Sequence, residues 1–126
     1  MQPTKESPIF SKMFDLVAWI IPTTTKFPRE QRFILATAVQ RVTLAAQEAL
    51  IRAVQAKAPT DSTAHLDEAA TQLALLRFYV RLCVQLSLLT PHQYEYLADG
   101  LSEIGKLLTG WRRRLSTPAA TRTPEA

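Results

Sequence analysis

Apolar residues recur at three- and four-residue spacing through four blocks of the chain, and none shows the strict alternation of a half-buried strand. The first block runs from about Ser7 to Ile21. Phe10, Met13, Phe14, Val17 and Ile21 fall on one side of a helix, and Pro8 suits its first turn. Pro22 and the three threonines after it are expected to end this helix. The second block runs from about Pro28 to Lys57. Its main stripe is Leu35, Val39, Val42, Ala46, Ala49, Leu50 and Ala53, and a weaker opposite stripe holds Phe33, Leu44 and Ile51. The third extends from about Ser62 to Leu89, with Asp61 or Ser62 as cap and Asp67 and Glu68 near the positive end of the dipole. The fourth opens with Thr90 as N-cap and Pro91 in the first helical position. It carries Tyr94, Leu97, Ala98, Leu101, Ile104, Gly105 and Leu108 on its inner face and ends around Gly110 to Arg114. The pattern predicts an all-α, antiparallel up-down four-helix bundle over residues 7–114. The polar tails 1–6 and 115–126 are expected to be disordered.

The third block has more apolar faces than a surface helix needs. Leu66, Ala69, Leu73, Leu76, Val80, Cys83, Val84 and Ser87 share one side; Leu75, Phe78, Tyr79, Leu82, Leu86 and Leu89 lie roughly opposite. Covering such a second stripe, at about 25 cal/mol per Å², stabilises an assembly by several kcal/mol. Self-association is therefore expected through Leu75, Phe78, Tyr79, Leu82 and Leu86, with Phe33, Leu44 and Ile51 of the second helix. The competing arrangement is a central third helix covered by the tails. A membrane span is not expected, because Arg77 and Arg81 interrupt the run and each would cost roughly 2.5–3.5 kcal/mol in a bilayer. These two arginines stack four residues apart on the polar seam between the stripes, so both can reach one acidic target. Pairing with Asp99 or Glu103 of the fourth helix, or reaching out to water, would also satisfy them.

Composition narrows the picture further. Only three glycines occur, and the eight prolines lie outside the apolar segments, as suits a few long helices. The lone Cys83 has no partner for an internal disulfide and reads as a buried small hydrophobe. No secretory leader pattern opens the chain, so a reducing, cytoplasmic setting is expected. No HExxH, CxxC, P-loop or GxSxG is present. Glu95, Asp99 and Glu103 lack the Glu-x-x-His partner of a carboxylate metal site, so neither catalysis, a metal nor a cofactor is expected. What remains is charge: a net +4 and a pI near 9.6. Lys26, Arg29 and Arg32 gather where the second helix begins, Arg41 and Arg52 lie along it, and Arg112, Arg113 and Arg114 follow Trp111. Repeated around an oligomer, such clusters would steer and hold a polyanion. No base-reading module accompanies them.

Three motifs carry a resemblance: FPR-x-x-R-F at Phe27–Phe33, LR-x-x-x-RL at Leu76–Leu82, and EIG-x-x-L-x-GW at Glu103–Trp111. In this order, across about Ser7 to Trp111, the chain resembles the accessory variability determinant (Avd) family of diversity-generating retroelements. That family is a branch of the four-helix bundles that include proteins encoded in ribosomal RNA intervening sequences. The N-I-A-E-G motif usual in the intervening-sequence branch is missing from the second helix, which favours the retroelement branch. The resemblance implies a basic, non-catalytic homopentamer that binds the element's reverse transcriptase and its template RNA, with DNA as a further ligand, and supports error-prone cDNA synthesis. It carries over onto Arg29 and Arg32 and onto Arg77 and Arg81 as contacts to polymerase or RNA, and onto Gly105 and Trp111 as packing positions. Lys106 and Thr109 depart from the family pattern, where Arg and Gly are common. An oligomeric bundle acting only through protein contacts is the alternative expectation.

Overall fold

The computed structural model describes residues 7–116, which form four long helices. We name them α1 (Pro8–Thr25), α2 (residues 29–55), α3 (Pro59–Gln85) and α4 (Pro91–Ser116). Within α2, a first turn Arg29–Gln31 leads into a π-helical turn Arg32–Ala36 and then into the α-helix Thr37–Gln55. The helices run up, down, up and down. The α2–α3 contact is the most extensive, followed by α3–α4, while α1 packs on both α2 and α4 and closes the bundle. Of the tails expected to be disordered, 1–6 and 115–126, residues 1–6 and 117–126 lie outside the described residues, while Leu115 and Ser116 are helical and continue α4.

One core fills the space between the four helices. The whole main stripe predicted for α2 is buried, and so are Leu66, Ala69, Leu73, Leu76, Val80 and Cys83 of α3. From α4 come Leu97, Leu101, Ile104, Leu108 and Trp111. Trp111 packs against Phe10 of α1, with ring centroids 6.2 Å apart, so it has the packing role expected of it.

Local chemistry accounts for where each helix differs from expectation. α1 does not stop at Pro22 but continues one turn past it. Proline withholds only its own amide, from the Ala18 carbonyl, and the turn that follows is reinforced by side chains: Thr23, Thr24 and Thr25 give their hydroxyls to the carbonyls of Trp19, Ile20 and Ile21 at 2.7, 2.8 and 2.7 Å. The buried face of α1 is also rotated from the predicted one. Ile9, Phe10, Met13, Leu16 and Ile20 point inward, while Phe14 is exposed. α3 begins at Pro59, ahead of the predicted cap. Ser62 is instead fully buried, donating its hydroxyl to the Ala53 carbonyl of α2 at 2.8 Å and tying the two helices together. α3 ends at Gln85, because Ser87 adopts a left-handed φ of 62° and the amides of Leu88 and Leu89 turn back to the Cys83 carbonyl. Leu89 is thereby folded into the core instead of joining the outer stripe. α4 opens as predicted. The Thr90 hydroxyl accepts from the Gln93 amide at 3.0 Å, and the Gln93 side chain accepts from the Thr90 amide at 2.9 Å, a reciprocal capping box.

Candidate nucleic-acid and partner interface

A groove runs between α3 and α4, and the packing of Arg77 explains its form. On α4, Gly105 has no side chain to cover the Leu101 carbonyl one turn before it. Arg77 reaches across from α3 and donates Nη2 to that carbonyl at 3.0 Å. A Cβ on Gly105 would sit 3.5 Å from the same nitrogen, an ordinary van der Waals contact. A backbone carbonyl accepts a hydrogen bond without neutralising charge, so the guanidinium stays cationic at the surface. The alternative pairing of Arg77 with Asp99 or Glu103 does not form. Glu103 binds Lys12 of α1 at 2.7 Å, and Asp99 lines the groove on that other side of α4.

Arg77 stands between two recesses. Toward Tyr94 and Ala98, it shares a space of about 190 Å³ with Arg81. Toward the far end of α4, a wider recess of about 520 Å³ is lined by Arg77, Ser102, Gly105, Lys106, Thr109, Gly110 and Arg113. No carboxylate lines either space. Arg81, Arg77, Lys106 and Arg113 thus form one cationic stripe along the α3–α4 groove. Lys106 was not among the predicted contacts, although the polar spacing of Ser102, Lys106, Thr109 and Arg113 on α4 is the pattern that reveals it. The opposite groove, between α1 and α4, has the contrary character. It measures about 220 Å³ and is lined by Lys12, Asp15, Leu16, Tyr96, Asp99, Gly100 and Glu103. The Lys12 contact holds the Glu103 carboxyl below its ordinary range and the Lys12 ammonium above its own. α4 therefore separates an acidic groove from a basic one.

The other predicted residues are not all drawn into the stripe. Lys26, Arg29 and Arg32 are exposed at the start of α2, where Arg29 and Arg32 line a separate recess with Phe33. Arg41 and Arg52 are exposed along α2. Arg112 forms an ion pair with Asp67 of α3 at 2.6 Å, which offsets its charge, and Arg114 is exposed beside Gly110. The predicted subunit-contact residues divide as well. Phe33, Leu44, Ile51, Leu75, Phe78 and Leu86 are exposed, whereas Tyr79 and Leu82 are partly buried and packed against the core. Among the described residues no group of His, Cys, Asp and Glu side chains has the geometry to hold a metal ion, and no helix is long and apolar enough to cross a membrane.

A family model described as bAvd-like matches residues 9–115, a span that contains all three sequence motifs. The chain belongs to the bAvd-like family. That membership makes it an Avd-type accessory protein in general terms and agrees with the four-helix architecture. In fold the chain is also similar to a crystal structure from Bacteroides thetaiotaomicron, described as a protein with unknown function from the S23 ribosomal protein family. The TM-score is 0.80 at 21% identity, over 87% of this chain and 99% of that one. No curated protein matches the chain.

Proposed function

We propose that the protein is a non-catalytic, cytoplasmic accessory factor of a diversity-generating retroelement. In this reading it binds the element's reverse transcriptase and its template RNA or cDNA through basic surfaces, and so supports error-prone cDNA synthesis and mutagenic retrohoming. The observation that carries the reading is the pair of carboxylate-free recesses between α3 and α4, where Arg77, Arg81, Lys106 and Arg113 gather in a member of the bAvd-like family; Asp67 enters only farther along, paired with Arg112. Cations held in a row along the two recesses attract phosphates by charge and geometry without reading bases. The subunits assemble as a ring-like homo-oligomer, with five as the number that the family implies. Exposed Leu44, Ile51, Leu75, Phe78 and Leu86 supply the apolar surface for it.

The test is RNA binding across a salt series together with retention of the cognate reverse transcriptase. Binding that weakens steeply with salt and falls in Arg77→Ala/Arg81→Ala supports the reading. Salt-independent binding, or none even with the polymerase present, removes it. Light scattering gives the subunit number, and Phe78→Glu should reduce it; an unchanged number takes this surface out of the interface. The exposed apolar residues of α2 and α3 favour one second reading, a bundle acting through protein contacts only. In that case the double arginine variant keeps its parental nucleic-acid and polymerase binding.

A further inference from the structure

The start of α2 presents a ring that the bundle does not use. Phe33 is 86% exposed, the most of any large apolar side chain among the described residues. The backbone imposes this. In the π-helical turn Arg32–Ala36, the Thr37 amide and its hydroxyl both reach back to the Arg32 carbonyl, five residues earlier. The extra residue in that turn lets Leu35 and Ala36 enter the core while Phe33 is turned out. Arg29, Arg32 and Phe33 stand at i, i+3 and i+4, on one face, and these three alone line a recess of about 350 Å³. Lys26 is exposed just before them. Glu30 is the only carboxylate between Lys26 and Thr37, and it does not line the recess.

We propose that Phe33 is a stacking platform for an unpaired base of a single-stranded nucleic acid, with Arg29 and Arg32 holding the adjoining phosphates. The proposal rests on the nucleic-acid reading above and assigns this end of the bundle to single strands. An aromatic face between two guanidinium groups meets both halves of a nucleotide, the flat base and the anionic backbone. A contact with a second copy of the chain would have to set an acidic face such as the Asp15, Asp99 and Glu103 groove against both arginines, whereas a nucleotide brings the flat base and the anion together. A duplex fits poorly too, since its bases are already stacked on one another.

The test compares the full chain with Phe33→Leu, Phe33→Tyr and Arg29→Ala/Arg32→Ala. Each is titrated with a short single-stranded RNA carrying 2-aminopurine and with the matching duplex, and subunit number is followed by light scattering. Phe33→Leu keeps an apolar side chain at an exposed site, so folding is preserved. It should lower single-strand affinity about tenfold, abolish quenching of the 2-aminopurine, and leave duplex affinity and salt slope unchanged. Phe33→Tyr should restore both affinity and quenching. The double arginine variant should flatten the salt slope by about 1.4, at roughly 0.7 per contact to a single strand. Parental affinity and quenching in Phe33→Leu overturn the proposal. A drop in subunit number with unchanged single-strand affinity also overturns it and assigns the ring to a contact between copies. If the parent chain binds neither RNA, the functional reading fails and takes this proposal with it. If the parent binds and Phe33→Leu binds equally, the proposal fails alone.

Discussion

Replacing Arg77 by alanine removes a structural bond and a surface charge together, and the neighbouring Arg81 separates the two. Arg77 donates to the Leu101 carbonyl at 3.0 Å, in the middle of α4. That carbonyl also accepts the helical amide one turn on, so Arg77→Ala does not orphan it. The loss is the net value of one part-buried hydrogen bond, about 1 kcal/mol, which lowers Tm by about 4 °C in a domain of this size. Arg81 has no ion pair among the described residues and is exposed, so Arg81→Ala should stay within about 0.5 kcal/mol of the parent. On a single strand the two variants should behave alike, each reducing the salt slope by about 0.7. Arg77→Lys should retain the slope. Calorimetry and anisotropy titrations at several salt concentrations measure both quantities on the same samples. Equal destabilisation by Arg77→Ala and Arg81→Ala, or slopes unchanged in both, would refute the assignment of Arg77 to two roles and Arg81 to one.

Three further outcomes follow from the core and the helices. Ser62→Ala removes the buried 2.8 Å bond to Ala53 and should cost about 1–2 kcal/mol, read as a lower urea midpoint at an unchanged m-value. Gly100 has nothing within 4 Å of an added Cβ, so Gly100→Ala should raise stability by about 1 kcal/mol through helix propensity; a fall in Tm would show an unseen contact. Burial pushes the Cys83 thiol up from 9.0 to about 11. The unfolded chain ionises first, so this contribution is complete below pH 9.0 and is lost as pH rises toward 11, a change of about 2–3 kcal/mol. Cys83→Ala should abolish that part of the pH dependence, and identical alkaline slopes for the two proteins would contradict it.

What the chain disclosed before folding depended on the range of each interaction. The Thr90–Gln93 capping box and the α2 core stripe follow from neighbours a turn apart, and both are found where spacing placed them. Pro22 misled because a proline removes a single helical bond, while the turn after it is reinforced by three hydroxyls that bond backwards. The π-helical turn adds one residue without any residue type that marks it, so Phe33 was readable as outward-facing but not as framed by Arg29 and Arg32 alone. Arg77 was recognised as a cation on a polar seam, yet its acceptor is a backbone carbonyl 24 positions away, uncovered by the glycine at 105. Lys106 was passed over because its charge counts only beside α3. The diversion of Glu103 to Lys12 likewise required the third dimension.

The two flanks of α4 carry opposite signs, Asp99 and Glu103 toward α1 and Lys106 and Arg113 toward α3. This arrangement gives the bundle an electric moment across its long axis. On the proposed reading, the contribution of these α4 charges would turn the α3 flank toward an approaching anion before contact. The rotational search that normally slows docking would thereby be shortened, with a benefit that shrinks as salt draws the Debye length below about 10 Å. The same moment limits how far a strand can travel. On the proposed reading, a polyanion lying along the α3–α4 groove would meet repulsion on crossing α4, so the bundle would offer it a bank to lie along and not a spool to encircle.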